Sequence, residues 1–162
     1  TMTRPLALTA LAASLLWAPS ALAGAKHRTA GSTGIGLGGG TTGGGISAKH
    51  FLSEGTAVQG VVGLAGFEGD GLQLNADYLM EQPVIASAEP FDVAWNFGVG
   101  AGVALFPEHN LLGLGVSGIA GVEFAFVPIP LDLVLEYRPT LGVLPGVGLD
   151  LVNFSGHLRW FF

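Results

Sequence analysis

The chain has 162 residues and no cysteine, and its formal net charge is −6. Nearly half of its residues are hydrophobic and only 11% are charged, which gives a mean hydropathy of +0.57. The length fits one domain, and the lack of cysteine excludes disulfides and thiolate metal sites. Lysine and arginine are scattered, so the composition argues against nucleic-acid binding.

The N-terminus follows the three-part pattern of a secretory signal peptide. Arg4 provides a short basic start, Leu6–Trp17 is an apolar run, and Pro19 breaks it. Ala21–Ala23 then forms an A-x-A cleavage signal before Gly24. The apolar run is shorter than the roughly 20 residues of a membrane-spanning helix. We therefore predict cleavage after residue 23.

This cleavage divides the chain into a signal peptide (1–23), a short N-terminal segment (24–32) and a barrel domain (33–162). The mature part would hold five basic residues against 12 acidic ones, a net charge of −7. Its high hydropathy is unusual for a secreted chain, because no mature segment contains 18 consecutive apolar residues. A transmembrane barrel explains this, since its strands place lipid-facing residues at every second position.

Apolar side chains alternate with small or polar ones along five segments: Gly71–Glu81, Phe91–Leu105, Leu112–Phe126, Leu131–Val143 and Val152–Phe162. If Glu81 is set aside because it lies at a strand end, the charged residues inside these segments all lie on the face opposite the apolar one; they are Asp77, Asp92, Glu123, Asp132, Glu136, Arg138 and Arg159. A lysine or arginine that faces lipid at the bilayer midplane costs about 2–4 kcal/mol, whereas the lumen tolerates charge. The alternation therefore favours strands with one face toward lipid.

Side-chain volume indicates which face is the inside. The apolar face carries Phe, Trp, Tyr and Leu, while the opposite face is mostly Gly, Ala and Ser. Eight strands enclose just enough room for side chains, so the large residues should face outward. The alternative is a soluble, lipocalin-like barrel with the large residues inside. We expect these residues to point outward: Phe91, Trp95, Phe97, Leu133, Leu135, Phe154 and Trp160.

Three weaker strands precede residue 71, over Thr33–Thr42, Gly45–Leu52 and Thr56–Phe67. Their many glycines indicate bulges or close backbone approach at the closing seam of a narrow barrel; the alternative for residues 38–45 is a flexible, low-complexity tract. Pro139 interrupts the seventh strand, so we expect a bulge or bend there. The predicted fold is an all-β, eight-stranded antiparallel up-and-down transmembrane β-barrel, preceded by a cleavable signal peptide.

The last strand, VNFSGHLRWFF, resembles the C-terminal signal of outer-membrane barrels. Residues 33–162 resemble small eight-stranded outer-membrane barrels such as OmpX and the transmembrane domain of OmpA. The blocks GIGLGGGTTGGGISAKHFLSEGTAVQGVVG and GLQLNADYLM also resemble a family of uncharacterised bacterial barrel proteins. The resemblance implies that the outer-membrane assembly machinery recognises Leu158, Trp160 and Phe162. The short outer loops depart from the adhesins and receptors among these barrels.

The charged residues of the inner face predict an ion-pair network that fills the lumen: Lys49, Asp77, Asp92, Glu123, Asp132, Glu136, Arg138 and Arg159. Buried charges must be paired or hydrated to be tolerated. We expect Arg159 to contact Asp132, Glu136 or a carboxylate of another strand at that level, Glu123 or Asp92. Because five acids face three bases, the alternative is a narrow cation path.

Ser155, His157 and Glu136 share the inner face of adjacent strands, and a Ser/His/acid set is also the signature of a hydrolase. The chain carries no nucleophile-elbow motif, and the set points into a lumen. We therefore predict polar filler and no catalytic residue. His27, His50 and His109 lack metal-ligand spacing, so we predict no metal and no cofactor.

The sequence therefore predicts a non-catalytic integral outer-membrane protein of a Gram-negative envelope, structural or envelope-stabilising, with a plugged polar lumen. The alternatives are a porin-like, narrow cation-selective pore and a lipid A-modifying barrel enzyme. The expected partners are outer-membrane lipids and lipopolysaccharide, with the assembly machinery acting through the C-terminal strand. Nucleic acid is not expected as a partner, and the protein is predicted to be a monomer.

Overall fold

The structure is a computed structural model that describes residues 25–66 and 70–162. The predicted signal peptide lies outside the described residues. Eleven strands and one 3₁₀ turn are described: β1 (Thr33–Gly40), β2 (Gly43–Ser53), β3 (Thr56–Ala65), β4 (Gly71–Glu81), β5 (Ala86–Ala88), β6 (Phe91–Phe106), η1 (Pro107–His109), β7 (Leu111–Phe126), β8 (Leu131–Tyr137), β9 (Thr140–Leu144), β10 (Gly148–Asp150) and β11 (Phe154–Phe161). Among these residues, no helix has the length and apolar character needed to cross a membrane.

Eight of these strands form a closed antiparallel barrel. Each pairs with its neighbours in the order β1, β2, β3, β4, β6, β7, β8, β11. The barrel closes where β11 pairs with β1, from Gly34 opposite Phe161 to Gly40 opposite Ser155. Each barrel strand therefore lies beside the next one in the chain, and the predicted eight-stranded antiparallel barrel is confirmed.

The two ends of the barrel differ. At one end, which we call the terminal end, β1 begins at Thr33 and β11 finishes at Phe161. The opposite end, called the hairpin end, holds the turn between β1 and β2 and the 3₁₀ turn Pro107–His109 between β6 and β7. Residues 25–32 precede β1 and therefore lie at the terminal end.

Glycines allow β1 to lie against β11 at the closing seam. A Cβ atom on Gly36 would overlap the carbonyl oxygen of Leu158, and one on Gly40 would overlap that of Phe154. Only glycine permits such an approach. The predicted close backbone approach is therefore observed at these two positions.

Pro139 has a larger effect than the predicted bulge or bend. It divides the predicted strand Leu131–Val143 into β8 and β9, and its carbonyl oxygen accepts a hydrogen bond of 3.0 Å from the Gly118 N–H group. Beyond this break, β9 pairs with β7 and with the short β10. Because proline has no N–H group, β8 cannot continue its ladder through this position.

A second difference lies in the connection between β4 and β6. The sequence pattern predicts no strand between Gly71–Glu81 and Phe91–Leu105, but Ala86–Ala88 forms β5 and pairs with β6. All three residues of β5 are exposed. Because β5 has no buried face, its sequence lacks the alternation that marks the other strands.

The apolar face of the strands lies outside. Six of the seven residues predicted to point outward are exposed: Trp95, Phe97, Leu133, Leu135, Phe154 and Trp160. The seventh, Phe91, is half-buried against the rings of Phe124 and Phe126. The alternative arrangement of a lipocalin-like barrel, with the large residues inside, is therefore wrong for the described strands.

Candidate functional site

The barrel lumen contains all eight charged side chains that the sequence placed there. Each of them is buried: Lys49, Asp77, Asp92, Glu123, Asp132, Glu136, Arg138 and Arg159. Their contacts divide them into two clusters, one separate ion pair and one carboxylate, Asp92, which accepts hydrogen bonds from Ala25 and Ser87 but pairs with no described cation. The predicted single network is therefore several groups, stacked along the barrel.

The first group, called the central cluster, comprises Gln59, Asp77, Glu136 and Arg138. The Arg138 guanidinium donates to both oxygens of Asp77, at 2.7 and 2.9 Å, and to Glu136 at 2.9 Å. The Gln59 amide donates to Asp77 at 3.0 Å and to Glu136 at 2.9 Å. Gln59 lies on β3, Asp77 on β4 and Glu136 on β8, and Arg138 directly follows β8. Because β3 and β8 lie on opposite sides of the barrel, the cluster connects opposite walls.

A hydrogen-bonded chain continues from this cluster through His157. Glu136 accepts from the Ser155 hydroxyl at 3.2 Å and lies 3.2 Å from His157 Nε2. His157 Nδ1 lies 3.0 Å from the hydroxyl of Ser47, on β2. The hydroxyl beside the imidazole therefore belongs to Ser47, whereas the sequence suggested Ser155.

The order Ser47, His157, Glu136 resembles that of a hydrolase triad. The Ser47 side chain, however, is completely buried, and the Glu136 carboxylate is also engaged by Arg138 and Gln59. A nucleophile must reach its substrate, so this geometry supports a chain of hydrogen bonds that fixes β2, β8 and β11.

The second group, called the plug cluster, comprises Arg28, Lys49, Glu81 and Glu123. Arg28 lies 3.0 Å from Glu81 and 2.9 Å from Glu123, and Lys49 lies 2.8 Å from Glu81 and also contacts Glu123. Two cations and two carboxylates therefore alternate in a neutral ring. Sequence reasoning missed Arg28, which precedes the first strand, and set Glu81 aside at a strand end.

Arg28 enters the lumen because residues 25–32, called the N-terminal plug, fold into the terminal end. The Ala25 N–H group donates to Asp92 at 2.9 Å, and the His27 ring packs on Phe161 with centroids 4.8 Å apart. The Gly31 N–H group donates to the Phe51 carbonyl at 2.8 Å. Burial lowers the pKa of His27 below its ordinary value, because the charged imidazole would lose hydration.

Arg159 and Asp132 form the separate ion pair. They are opposite each other in the register of β11 and β8, and both side chains are completely buried. The expected contact between them is present, with Nε 3.5 Å from Oδ1. Neither side chain forms a side-chain hydrogen bond with another described residue, so this pair is compensated less well than the two clusters.

The hairpin end of the lumen holds a cavity of about 370 Å³, which we call the cup. Its floor includes Arg138 and His157, and its wall is made largely of glycines and small polar side chains. The cup reaches the rim of the barrel at Gly40 and Phe106. Charged side chains and the N-terminal plug fill the other half. The described lumen is therefore closed at the terminal end and does not pass through the barrel.

The three residues of the proposed assembly signal lie on the outer face. Leu158, Trp160 and Phe162 are exposed, between about half and three quarters of their full area. They are therefore accessible to another protein or to lipid. Among the described residues, no His, Asp and Glu side chains are grouped as a metal site would require.

No protein-family model, no curated protein and no solved structure matches this chain.

Proposed function

We propose that this protein is a non-catalytic integral β-barrel of a bacterial outer membrane, with a closed lumen, that acts as a structural or stabilising element of the envelope. The distribution of charge carries this proposal. Within the described residues, every exposed Asp, Glu, Lys or Arg lies in a connection, in the N-terminal plug or at the last position of β10: Lys26, Glu54, Asp70, Glu89, Glu108 and Asp150. Between them, the outer wall formed by the described strands carries no charged side chain.

The outer wall also has the apolar surface and strand length that a bilayer requires. A transmembrane strand needs about 9–11 residues. Five of the eight barrel strands, β2, β3, β4, β6 and β7, have 10 to 16 residues, and β1, β8 and β11 have 7 or 8. Large apolar side chains are exposed all around the barrel, for example Leu37, Val62, Leu74, Val99, Val116, Leu135 and Leu158. Water-soluble monomers expose apolar patches of only a few hundred Å². This surface is larger, so it suits contact with a lipid bilayer better than contact with water.

The interior supports a closed barrel over the alternative cation path. Each carboxylate of the plug cluster touches two cations, and Asp77 and Glu136 share Arg138. A permeating cation would have to displace these partners, because eight strands leave little free width. The excess of acidic residues alone therefore does not favour conduction.

Cell fractionation and planar-bilayer recording together test this proposal. We expect the protein in the outer-membrane fraction, and we expect the refolded barrel to add no steady conductance. Arg28→Ser should increase conductance because it removes one cation of the plug cluster, whereas Lys26→Ser, an exposed neighbour, should not. Recovery of the protein in the soluble periplasmic fraction, or a stable cation-selective current from the unmodified protein, would refute the proposal.

A further inference from the structure

The cup has the form of a ligand site. Its volume, about 370 Å³, lies within the range of roughly 300–1,000 Å³ that is typical of small-molecule pockets. Glycines hold this volume open, because inward positions that would otherwise carry side chains are Gly102, Gly113 and Gly115. The opposite half of the lumen is filled, so the space is confined to one end.

Charge at the cup disfavours both anions and cations. The charged residues described in the connections of the hairpin end and in β10 are all acidic: Asp70, Glu108 and Asp150. They repel an anion that approaches the rim. At the floor, both oxygens of Asp77 and both of Glu136 already accept hydrogen bonds, so neither floor carboxylate is free to bind a cation inside the cup.

Uncharged polar groups remain available to a ligand. Gln73 is more than nine-tenths buried, and its Nε2 donates to no other described residue. Asn75 lies beside it, and its Oδ1 accepts no hydrogen bond from a described residue. The Ser117 hydroxyl lines the opposite wall, 2.8 Å from that of Thr140. The Thr140 hydroxyl donates to the Arg138 carbonyl and accepts from the Asn153 amide, so of these two Ser117 alone keeps a lone pair for a ligand. Donors and acceptors without net charge are the partners that alcohol groups require.

The cup also offers apolar surface beside these groups. Phe106 lines it at the rim, and Val61 and Ala65 line the wall of β3. A sugar ring presents hydroxyl groups at its edge and C–H groups on its face, so it matches both parts of this lining. We propose that the cup binds a neutral, hydroxyl-rich molecule of the size of a mono- or disaccharide.

A free sugar and the headgroup of a glycolipid share this chemistry, and a titration can separate them. Side-chain amide signals of the refolded chain are followed by NMR in phosphocholine micelles, which carry no sugar. The probes are glucose, maltose, octyl glucoside below its critical micelle concentration, glucose 6-phosphate and decanoate. We expect saturable shifts of the Gln73 and Asn75 amides with glucose, maltose or octyl glucoside. Preference for octyl glucoside would identify the headgroup as the source.

Two glycines of β7 provide matched variants. Gly113 faces the cup, and Gly118 lies on the outer face; a Cβ atom at either would meet nothing closer than 3.7 Å. Gly113→Leu should abolish sugar binding because it fills the cup, whereas Gly118→Leu should preserve it. Gln73→Leu should weaken binding about three- to tenfold, the value of one neutral hydrogen bond.

The inference is overturned if neither sugar nor alkyl glucoside shifts these amides at saturating concentration. It is equally overturned if decanoate or glucose 6-phosphate binds in preference to the neutral sugars. Equal loss in the Gly113 and Gly118 variants would place the binding outside the cup. The spectra of both variants report whether the barrel is folded, so a folding defect cannot imitate a loss of binding.

Discussion

Removing Lys49 should cost this barrel more stability than removing any exposed charge. The ammonium group is completely buried and pairs with Glu81 and Glu123. In Lys49→Met, the two carboxylates would share Arg28 alone, although methionine fills most of the space. Removal of one partner from a buried ion pair costs about 3–5 kcal/mol, and two carboxylates lose a partner here. We therefore expect a loss within or above that range, measured by urea unfolding in detergent micelles.

A double-mutant cycle isolates the ion pair from other effects. Glu123→Gln combined with Lys49→Met leaves Arg28 and Glu81 as a one-to-one pair, so the double variant should lose less than the sum of the single variants. The coupling should fall within about 0.5–3 kcal/mol. Lys26→Met, at an exposed position of the N-terminal plug, is the control and should leave stability unchanged. Additive losses, or a loss below about 1 kcal/mol for Lys49→Met, would refute the plug cluster.

Three further predictions follow from individual residues. Arg159→Met and Asp132→Asn should each destabilise the barrel by up to about 3–5 kcal/mol, and the double variant by less than their sum; additive unfolding energies would show that the pair does not interact. The pKa of His27 is lowered by burial, so its stabilising contribution is complete above its unfolded value of about 6.5 and falls as the pH decreases below it. Unfolding energies of wild type and His27→Phe should diverge between pH 7.5 and 5, and parallel curves would contradict this. Gly36→Ala should prevent closure of the barrel because its Cβ overlaps β11, whereas Gly55→Ala, with open space around it, should fold normally; thermal unfolding of both variants decides.

Alternation made the barrel wall predictable from sequence. The strand predicted over Gly71–Glu81 has the same bounds as β4, and the predicted outward positions are on the outer face. Alternation predicts the wall because successive side chains of a strand point to opposite faces. In this barrel one face lines the lumen and the other meets the surroundings. A local pattern of period two therefore specifies both the element and its orientation.

The N-terminal plug could not be found in this way. Residues 25–32 contain no alternation, and their positions depend on contacts with Glu81, Asp92 and Phe161, which are distant in sequence. One signal was available: the predicted lumen held more acids than bases, so a further cation was needed. Arg28 supplies it.

The hydrogen-bond partner of His157 was equally hidden. Ser155 is two residues away on the same strand, and the sequence suggested it for that reason. Ser47 reaches the imidazole from β2, over the inner face of β1, because β1 carries a glycine, Gly38, between them. Pairing of strands sets such contacts, and a single strand's pattern contains no information about them.

The most direct measurement of the central claim is quenching of tryptophan fluorescence by brominated lipid. The chain from residue 24 onward has two tryptophans, Trp95 and Trp160, and both are exposed on the outer wall. Refolded into vesicles whose acyl chains carry bromine, the protein should lose most of its fluorescence, and aqueous iodide should have little effect. Strong quenching by iodide with none by bromolipid would place the outer wall in water and contradict the membrane barrel.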